Sequence, residues 1–442
     1  MKEYLGARLA QLVEHRLDVT RVVGSIPTTR TVITLGIETS CDETALSLIE
    51  TREHEGHFEC RVINSLVHSQ AELHSAYGGV YPSLAKREHG KNLVPLLKKL
   101  LSEISQAPSY TKASEDKDAH TASELSTVLE TFKSELSKTN PDLWQSLQGA
   151  SFLSYVPNID MIAVTEGPGL EPTLWVGINF ARILGTIWNI PVVPVNHMEG
   201  HVVGSLLKSD LPYGTWQCLS EPALPALSFL ISGGHTELVQ VNNIGGNDQG
   251  RYEILGQTKD DAVGEAFDKV ARLLGLPYPG GPHVSKLAHE AYEAGIVSPV
   301  KLPRPMIASD DLNFSFAGLK TAVLYAVQKA TAKNEFTDEY KKGLAYEFEQ
   351  AVAETLETKL RKAILETDAK SLIIGGGVSA NHLLRKRFQA ITVEYGIELF
   401  LPSLHISGDN ALMIALAGAL DHTKSGPTDV RPLVAHGNKR LS

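Results

Sequence analysis

The chain has little cysteine: Cys41, Cys60 and Cys218 are the only three in 442 residues, far apart and never in a C-x-x-C pair. That excludes a disulfide-framed secreted scaffold and a cysteine-rich zinc module, and it points to a reducing compartment. Long apolar runs are missing as well. None reaches the roughly eighteen residues that a membrane span needs, so no spanning helix is expected. Basic residues are in deficit, 41 Lys and Arg against 51 Asp and Glu, for a formal charge of −10. That balance excludes general coating of nucleic acid, because phosphate contacts need cations; a local basic patch, or one shared with a partner subunit, stays open. With 43% hydrophobic residues, the chain can bury the cores of two or three domains.

What is present is organised around Asn196-His197-Met198-Glu199-Gly200-His201, directly after the apolar run 190–195. If that run is a strand feeding a helix, the two imidazoles share one helical face with Cβ atoms about 5–6 Å apart, close enough to grip one metal ion. With sixteen histidines in the chain a chance pair is the plainer alternative. The stretch also resembles H-E-x-x-H, the zinc-protease signature whose glutamate acts as general base. Glu199, however, stands one position late and about 100° further round the helix, which weakens the protease reading.

Residues 1–31 show neither a strand nor an amphipathic helix and carry five basic against three acidic residues. Glu3, Glu14 and Asp18 count against a transit peptide, and the expectation is a start codon placed too far upstream, with no function for this leader. The fold is expected to begin at Val32. A buried strand over 32–38 empties into Thr39-Ser40-Cys41-Asp42-Glu43-Thr44 before strand character resumes at 45–49. Small hydroxyl residues let backbone N–H groups approach an anion, while Asp42 and Glu43 can orient a cation or a nucleophile; an exposed polar hairpin is the alternative. A helix with leucines at 93, 96, 97, 100 and 101 follows, its start carrying Lys86 and Arg87 as candidate phosphate contacts or a solvated face. From about 102 to 150 the composition turns polar, a predicted insertion with one short helix around Leu125–Leu136 and flexible flanks.

Strand 159–165, the turn Glu166-Gly167-Pro168-Gly169, a helix over 173–188 and strand 190–195 make a βαβ unit, hence a parallel or mixed sheet. After a polar, Pro-rich connection at 208–225, the layout of 32–49 returns: strand 226–231, turn Ser232-Gly233-Gly234-His235-Thr236, strand 237–241. Two such hairpins form the phosphate clamp of actin-like ATPases. Asp260 and Asp261 suit a helix N-terminus, whereas Asp268 lies too deep in the helix to cap it and is a candidate ligand. Pro279-Gly280-Gly281-Pro282 reads as a tight turn. Gly375-Gly376-Gly377 follows a buried strand and makes room for a base or ribose, with Asn381 able to bond a sugar hydroxyl or phosphate. Asp409, before a last apolar helix at 411–420, offers the oxygen ligand that a histidine pair lacks.

The segments IETSCDETA, GGVYPSLAKREH, TEGPGLEPTLWVG, NHMEGH, SGGHTELV, DDAVGEAFDK, YPGGP, GGGVSAN and SGDNA, in this order, resemble the tRNA N6-adenosine threonylcarbamoyltransferase family (TsaD), once described as glycoprotease-like, and the wording looks bacterial rather than mitochondrial. The resemblance implies an α/β fold of the actin, Hsp70 and sugar-kinase superfamily (ASKHA) with two lobes, each built on a ribonuclease-H-like mixed sheet flanked by helices. The lobes would span 32–207 and 208–442, with the last helix a candidate to pack back on the first. By the same resemblance His197, His201 and Asp409 bind one divalent metal, iron or zinc. Leu230, Ile231, Ser232, Gly233, Gly234, Asp268, Gly281 and Asn381 hold the adenylate of threonylcarbamoyl-AMP, with ATP or ADP and magnesium as a second candidate. Asp42 and Glu43 stand near the reaction centre. Glu166 and Glu171-Pro172 are less typical of the family.

The implied reaction moves the threonylcarbamoyl group to N6 of the adenosine 3′ to the anticodon in tRNAs reading codons that start with A, forming t6A and releasing AMP. Implied partners are tRNA, a TsaB-like homologous subunit and a TsaE-like small ATPase, with no membrane and a cytoplasmic location; the mitochondrial matrix is the alternative if the leader is a transit peptide. A phosphotransferase of the same superfamily, a metalloprotease and an inactive scaffold subunit are the competing readings.

Overall fold

Apolar runs interrupted by small polar turns become the strands of two mixed sheets. The computed structural model describes residues 31–104, 121–208, 211–246, 250–425 and 433–441. The leader, apart from Thr31, and the expected flexible flank at 105–120 lie outside the described residues. In the first sheet β1 (Val32–Glu38) pairs antiparallel with β2 (Glu43–His54), and β2 with β3 (His57–Ser69). On the far side of β1, β4 (Met161–Gly167) and β5 (Val192–Asn196) run parallel. A two-residue strand, β6 (Gln217–Cys218), closes the edge at β3, so a piece of the Pro-rich connection belongs to this first sheet.

The second sheet repeats the arrangement. β7 (Ala226–Ile231), β8 (Thr236–Val241) and β9 (Tyr252–Gln257) pair antiparallel, and β10 (Ser371–Gly375) and β11 (Glu398–Phe400) run parallel to β7. The orders are β5-β4-β1-β2-β3-β6 and β11-β10-β7-β8-β9. β4, β7 and β10 are buried along their whole length, as strands covered on both faces must be. β3 and β9 are half-exposed and irregular in burial pattern, so no alternation of apolar residues marks them as strands.

Helices cover both sheets. Those following the first hairpin are α1 (Ala71–Ser75), α2 (Pro82–Ile104), α3 (Ala122–Thr139) and α4 (Pro141–Leu147). α5 (Glu171–Trp188) and α6 (His197–Gly204) flank β5. α7 (Val263–Leu273), α8 (Gly280–Glu293), α9 (Ala317–Ala332), α10 (Asp338–Thr367) and α11 (His382–Tyr395) belong to the second half, and α12 (Ala411–Ser425) ends the order. Where the spacing predicts one short helix in the polar stretch, two stand. α3 starts with a capping box, Thr121 and Glu124 each satisfying the other's backbone N–H, and Leu125, Leu136, Leu143 and Leu147 are buried in the core of the first sheet. Those few leucines fall at helical spacing, so the polar remainder is a solvated face.

Two other expectations change. Neither Asp260 nor Asp261 caps α7, which begins at Val263; Asp260 accepts N–H bonds from Phe316 (2.8 Å) and Ala317 (3.2 Å) at the start of α9, and Asp261 pairs with Lys269. The predicted turn at 279–282 is instead the start of α8 behind a cis Tyr278–Pro279 bond.

One apolar cluster lies in the first half and one in the second, and a third joins them: Met198 and Val202 of α6, Leu230 of β7, Ile373 of β10, and Ile414 and Leu416 of α12 are buried together. α12 crosses β1 where Gly36 has no side chain. A Cβ there would collide with the Ala411 carbonyl and lie 2.9 Å from Ala415 Cβ. Among the described residues no helix is long and apolar enough to cross a membrane.

Candidate metal and adenylate site

β5 ends at Asn196, whose side chain accepts the Met198 N–H at 2.9 Å and so starts α6 at His197. His197 and His201 therefore project from one helical face, both buried, with ring centroids 4.7 Å apart and nearly perpendicular. On the other side Asn410 caps α12 through the Met413 N–H (3.0 Å). The preceding residue, Asp409, places Oδ1 3.4 Å from His197 Nε2 and 3.2 Å from His201 Nε2. Three ligand atoms, one from each residue, all lie within 4.8 Å of one another. His201 Nε2 is buried, and its 3.2 Å approach to Asp409 Oδ1 lacks the geometry of a hydrogen bond. An orphaned polar atom costs about 1–3 kcal/mol, which a bound cation would remove. Two imidazoles and one carboxylate are a donor set suited to a divalent transition metal, so the residues fit one.

A fourth residue completes the centre. Glu38, at the end of β1 and fully buried, lies with Oε2 3.0 Å from His197 Nδ1, accepts the Thr165 hydroxyl at 2.6 Å, and accepts the Ser40 N–H on Oε1. Burial disfavours charge on His197, but Asp409 and Glu38 outweigh it and hold the imidazolium well above the usual histidine range. Burial also pushes Asp409 up, and the two imidazoles pull it below the usual carboxylate range. For His201 burial prevails and lowers the pKa. The carboxylates thus hold positive charge between them.

Glu199 points elsewhere. Its Oε1 accepts bonds from Arg251 (2.6 Å) and the Tyr252 hydroxyl (3.0 Å), and burial lifts its pKa to about 7. A carboxylate committed to that ion pair is not placed to activate water on the metal as a protease requires.

The turn after β1 carries Asp42 and Glu43. Burial raises both, Glu43 well above the usual range because Asp42 and Asp409 add repulsion. His89 braces the turn from below, its Nε2 3.0 Å from the Cys41 carbonyl and its Nδ1 2.7 Å from Thr44 Oγ1. Burial lowers its pKa to about 4, so it is a neutral donor and acceptor here. From the second half of the chain the Tyr278 hydroxyl donates to Asp42 Oδ2 at 3.4 Å.

Of the expected adenylate residues, Leu230 and Ile231 have side chains wholly in the core. Beyond them the turn opens: a Cβ added to Gly233, Gly234 or Gly281 would meet nothing within 4 Å, so these backbones border free space. Ser232 Oγ accepts the His235 N–H at 3.1 Å and shapes the turn. Asp268 accepts the Gly280 N–H at 2.6 Å, and burial raises its pKa to about 6. Asn381 is more committed than the sequence suggests. Its Oδ1 caps α11 through the Leu384 N–H (3.0 Å), and its amide donates to Ser285 (2.8 Å) and Glu349 (2.7 Å). Gly376, at φ +90°, runs directly beneath the Ile231 carbonyl. Glu38, Tyr278 and His235, whose pKa burial beside the two metal-site histidines lowers to about 4, are the residues the sequence reading did not single out. For Glu38 the signal was an acid closing an otherwise apolar strand.

The chain matches the family described as TsaD, tRNA N6-adenosine threonylcarbamoyltransferase, over residues 61–113 and 153–416. A curated relative of that name from Variovorax paradoxus (strain S110) is 38% identical over 389 residues, 88% of this chain and 90% of the relative. Another, from Methylobacillus flagellatus, is 38% identical over 398 residues, 89% of this chain and 95% of the relative. Among solved structures, full-length HypF in its phosphate- and nucleotide-bound form aligns at 12% identity and a TM-score of 0.46, over 90% of this chain and 56% of that one. The Acidaminococcus fermentans (R)-2-hydroxyglutaryl-CoA dehydratase component A aligns at 12% identity and a TM-score of 0.39, over 88% of this chain and 96% of that one. With that family match over most of the chain and 38% identity to a curated relative across 88% of it, the chain belongs to the tRNA N6-adenosine threonylcarbamoyltransferase family.

Proposed function

We propose that this chain transfers the threonylcarbamoyl group from threonylcarbamoyl-AMP to N6 of the adenosine 3′ to the anticodon, in tRNAs reading codons that begin with A, releasing AMP. The observation that carries the reading is the convergence of three features: the His197, His201 and Asp409 cluster, the neighbouring Asp42 and Glu43 carboxyls that burial raises, and the open backbone of Gly233, Gly234 and Gly281 near Asp268. The repeated strand order supports two lobes of the actin, Hsp70 and sugar-kinase kind, with the adenylate held between the two hairpin turns.

In this reading His197, His201 and Asp409 hold a divalent metal, iron or zinc, which when bound supplies Lewis-acid and templating chemistry. The remaining work falls to the chain. The open backbone at Gly233 and Gly234 borders the adenylate, and Asp268 accepts from its hydroxyls beside the Gly280 N–H it already holds. Holding both substrates there brings the adenosine N6 to the carbonyl carbon at about 3–3.5 Å, which removes much of the entropic barrier for a poor nucleophile. The C–N bond forms, the bond from carbonyl carbon to phosphate oxygen breaks, and AMP leaves. The proton lost from N6 passes to the Asp42–Glu43 pair, whose ionised member accepts it. Glu43→Ala should abolish t6A, measured by mass spectrometry of tRNA nucleosides, while metal content stays at wild-type level; unchanged modification would sink the assignment. A phosphotransferase would not depend on the metal cluster, so metal loss together with retained nucleotide phosphorylation in His197→Ala would favour it.

The charge of −10 supports sharing of the RNA-binding surface with a TsaB-like subunit, and a TsaE-like ATPase would complete the cytoplasmic assembly. The chain alone should turn over poorly; full multi-turnover activity without partners would overturn that.

A further inference from the structure

The loop between α1 and α2 carries Tyr77 and Tyr81, stacked with ring centroids 5.6 Å apart and planes 19° apart. The two rings stay in solvent, 61% and 53% exposed, so they do not serve the core. Backbone bonds hold them in place from beneath. Tyr77 N–H donates to the His74 carbonyl (2.9 Å) and Tyr81 N–H to His74 Nδ1 (3.3 Å). His74 Nε2 lies 3.2 Å from Gln70 Oε1, and Gln70 N–H donates to the Asp42 carbonyl (2.9 Å). The stacked pair is therefore built on the same scaffold as the reaction turn.

One cation approaches this loop from another helix, and two more stand in the second turn of α2, which follows Tyr81. Gly78, between the tyrosines, faces α7 from the other half of the chain: a Cβ on it would lie 3.4 Å from Arg272 Cδ. Arg272 is exposed, Lys86 is half-buried, and neither makes an ion pair among the described residues. Arg87, 61% exposed, has only a 3.8 Å approach to Asp142, and the neighbouring acid Glu88 is taken by Lys91 at 2.6 Å.

We propose that Tyr77 and Tyr81 form the platform on which unpaired bases of the anticodon loop, next to the target adenosine, stack, with Arg272, Lys86 and Arg87 receiving the flanking phosphates. This rests on the transferase reading and names its RNA subsite. Stacking of a base on an aromatic ring contributes about 1–3 kcal/mol and tolerates any base, which suits an enzyme serving tRNAs with different loops.

The test is binding of a fluorescent anticodon stem-loop RNA, and of a plain duplex of the same stem, to the full chain together with its homologous partner subunit. Tyr77→Ala/Tyr81→Ala should weaken the stem-loop about 10- to 100-fold and leave duplex and AMP binding unchanged, while Tyr77→Phe/Tyr81→Phe behaves as wild type. Arg272→Gln should flatten the salt dependence of both RNAs by about 0.7–0.9 in log–log slope. Unchanged stem-loop affinity in the alanine variant, equal losses for loop and duplex, or loss of the partner subunit instead of RNA would each overturn the proposal. A wild type that modifies tRNA beside an alanine variant of unchanged KM would overturn this subsite alone. A wild type that neither binds nor modifies the stem-loop would overturn the transferase reading with it.

Discussion

Glu38 meets His197 beneath the reaction turn, Oε2 to Nδ1 at 3.0 Å, so the strand that opens the fold fixes the imidazole that opens α6. With Nδ1–H donating to Glu38, Nε2 faces Asp409 and His201 and is the nitrogen that would bind a cation in place of its proton. Glu38→Gln keeps the shape but sets an amide against the hydroxyl of Thr165 and the N–H of Ser40. Metal affinity should fall about 10- to 100-fold in a competition titration against a chromogenic chelator. An affinity within twofold of wild type would contradict this role.

Asp268 is raised to about 6 by burial, and a nucleotide hydroxyl donating to it favours the ionised form. AMP affinity should therefore improve as pH rises through about 6, with proton release on binding. Asp268→Asn should bind more weakly and lose that dependence; calorimetry in buffers of different ionisation enthalpy reads both effects.

His89 couples stability to pH. Its pKa is depressed to about 4 in the fold against an ordinary 6.5, so the stabilisation is full above pH 6.5 and is lost as pH falls towards 4. The loss approaches ~3 kcal/mol at the acid end. Denaturant melts from pH 7 to 4.5 should show this slope in wild type and a shallower one in His89→Gln; parallel curves would exclude His89 as its source.

Two glycines should answer alanine in opposite ways. Gly36→Ala drives a methyl into α12 and should cost about 1–3 kcal/mol in urea unfolding. Because α12 follows Asp409, metal affinity should drop with it. Gly233→Ala meets open space and should leave stability within about 0.5 kcal/mol, yet its methyl stands where the proposed adenylate approaches the backbone and should weaken AMP binding.

The residues that read clearly in the sequence are those whose order along the chain already implies their geometry. His197 and His201 sit one helical turn apart behind an apolar run, and the two strand-turn-strand hairpins announce themselves by hydrophobic runs around small polar turns. What the sequence hid depends on packing between distant segments. β3 pairs with β2 although its exposed face breaks the apolar pattern, and Asp260 spends its carboxylate on a helix some 55 residues onward, a distance no local capping rule covers. Asn381 looked free for a ligand because its partners, Ser285 and Glu349, come from two other helices. Glu38 was visible only as an acid in a buried strand, and its purpose appears once His197 is seen against it.

Gly375 gives α6 and the triple-glycine turn a shared wall. A Cβ on it would lie 3.1 Å from both Cβ and the carbonyl oxygen of His201, so no side chain separates the helix from the turn. Any ligand that shifts the turn must press on α6, and any ion that fixes α6 must bias the turn. Thermodynamic linkage makes such an effect reciprocal: the factor by which metal changes adenylate affinity is the factor by which adenylate changes metal affinity.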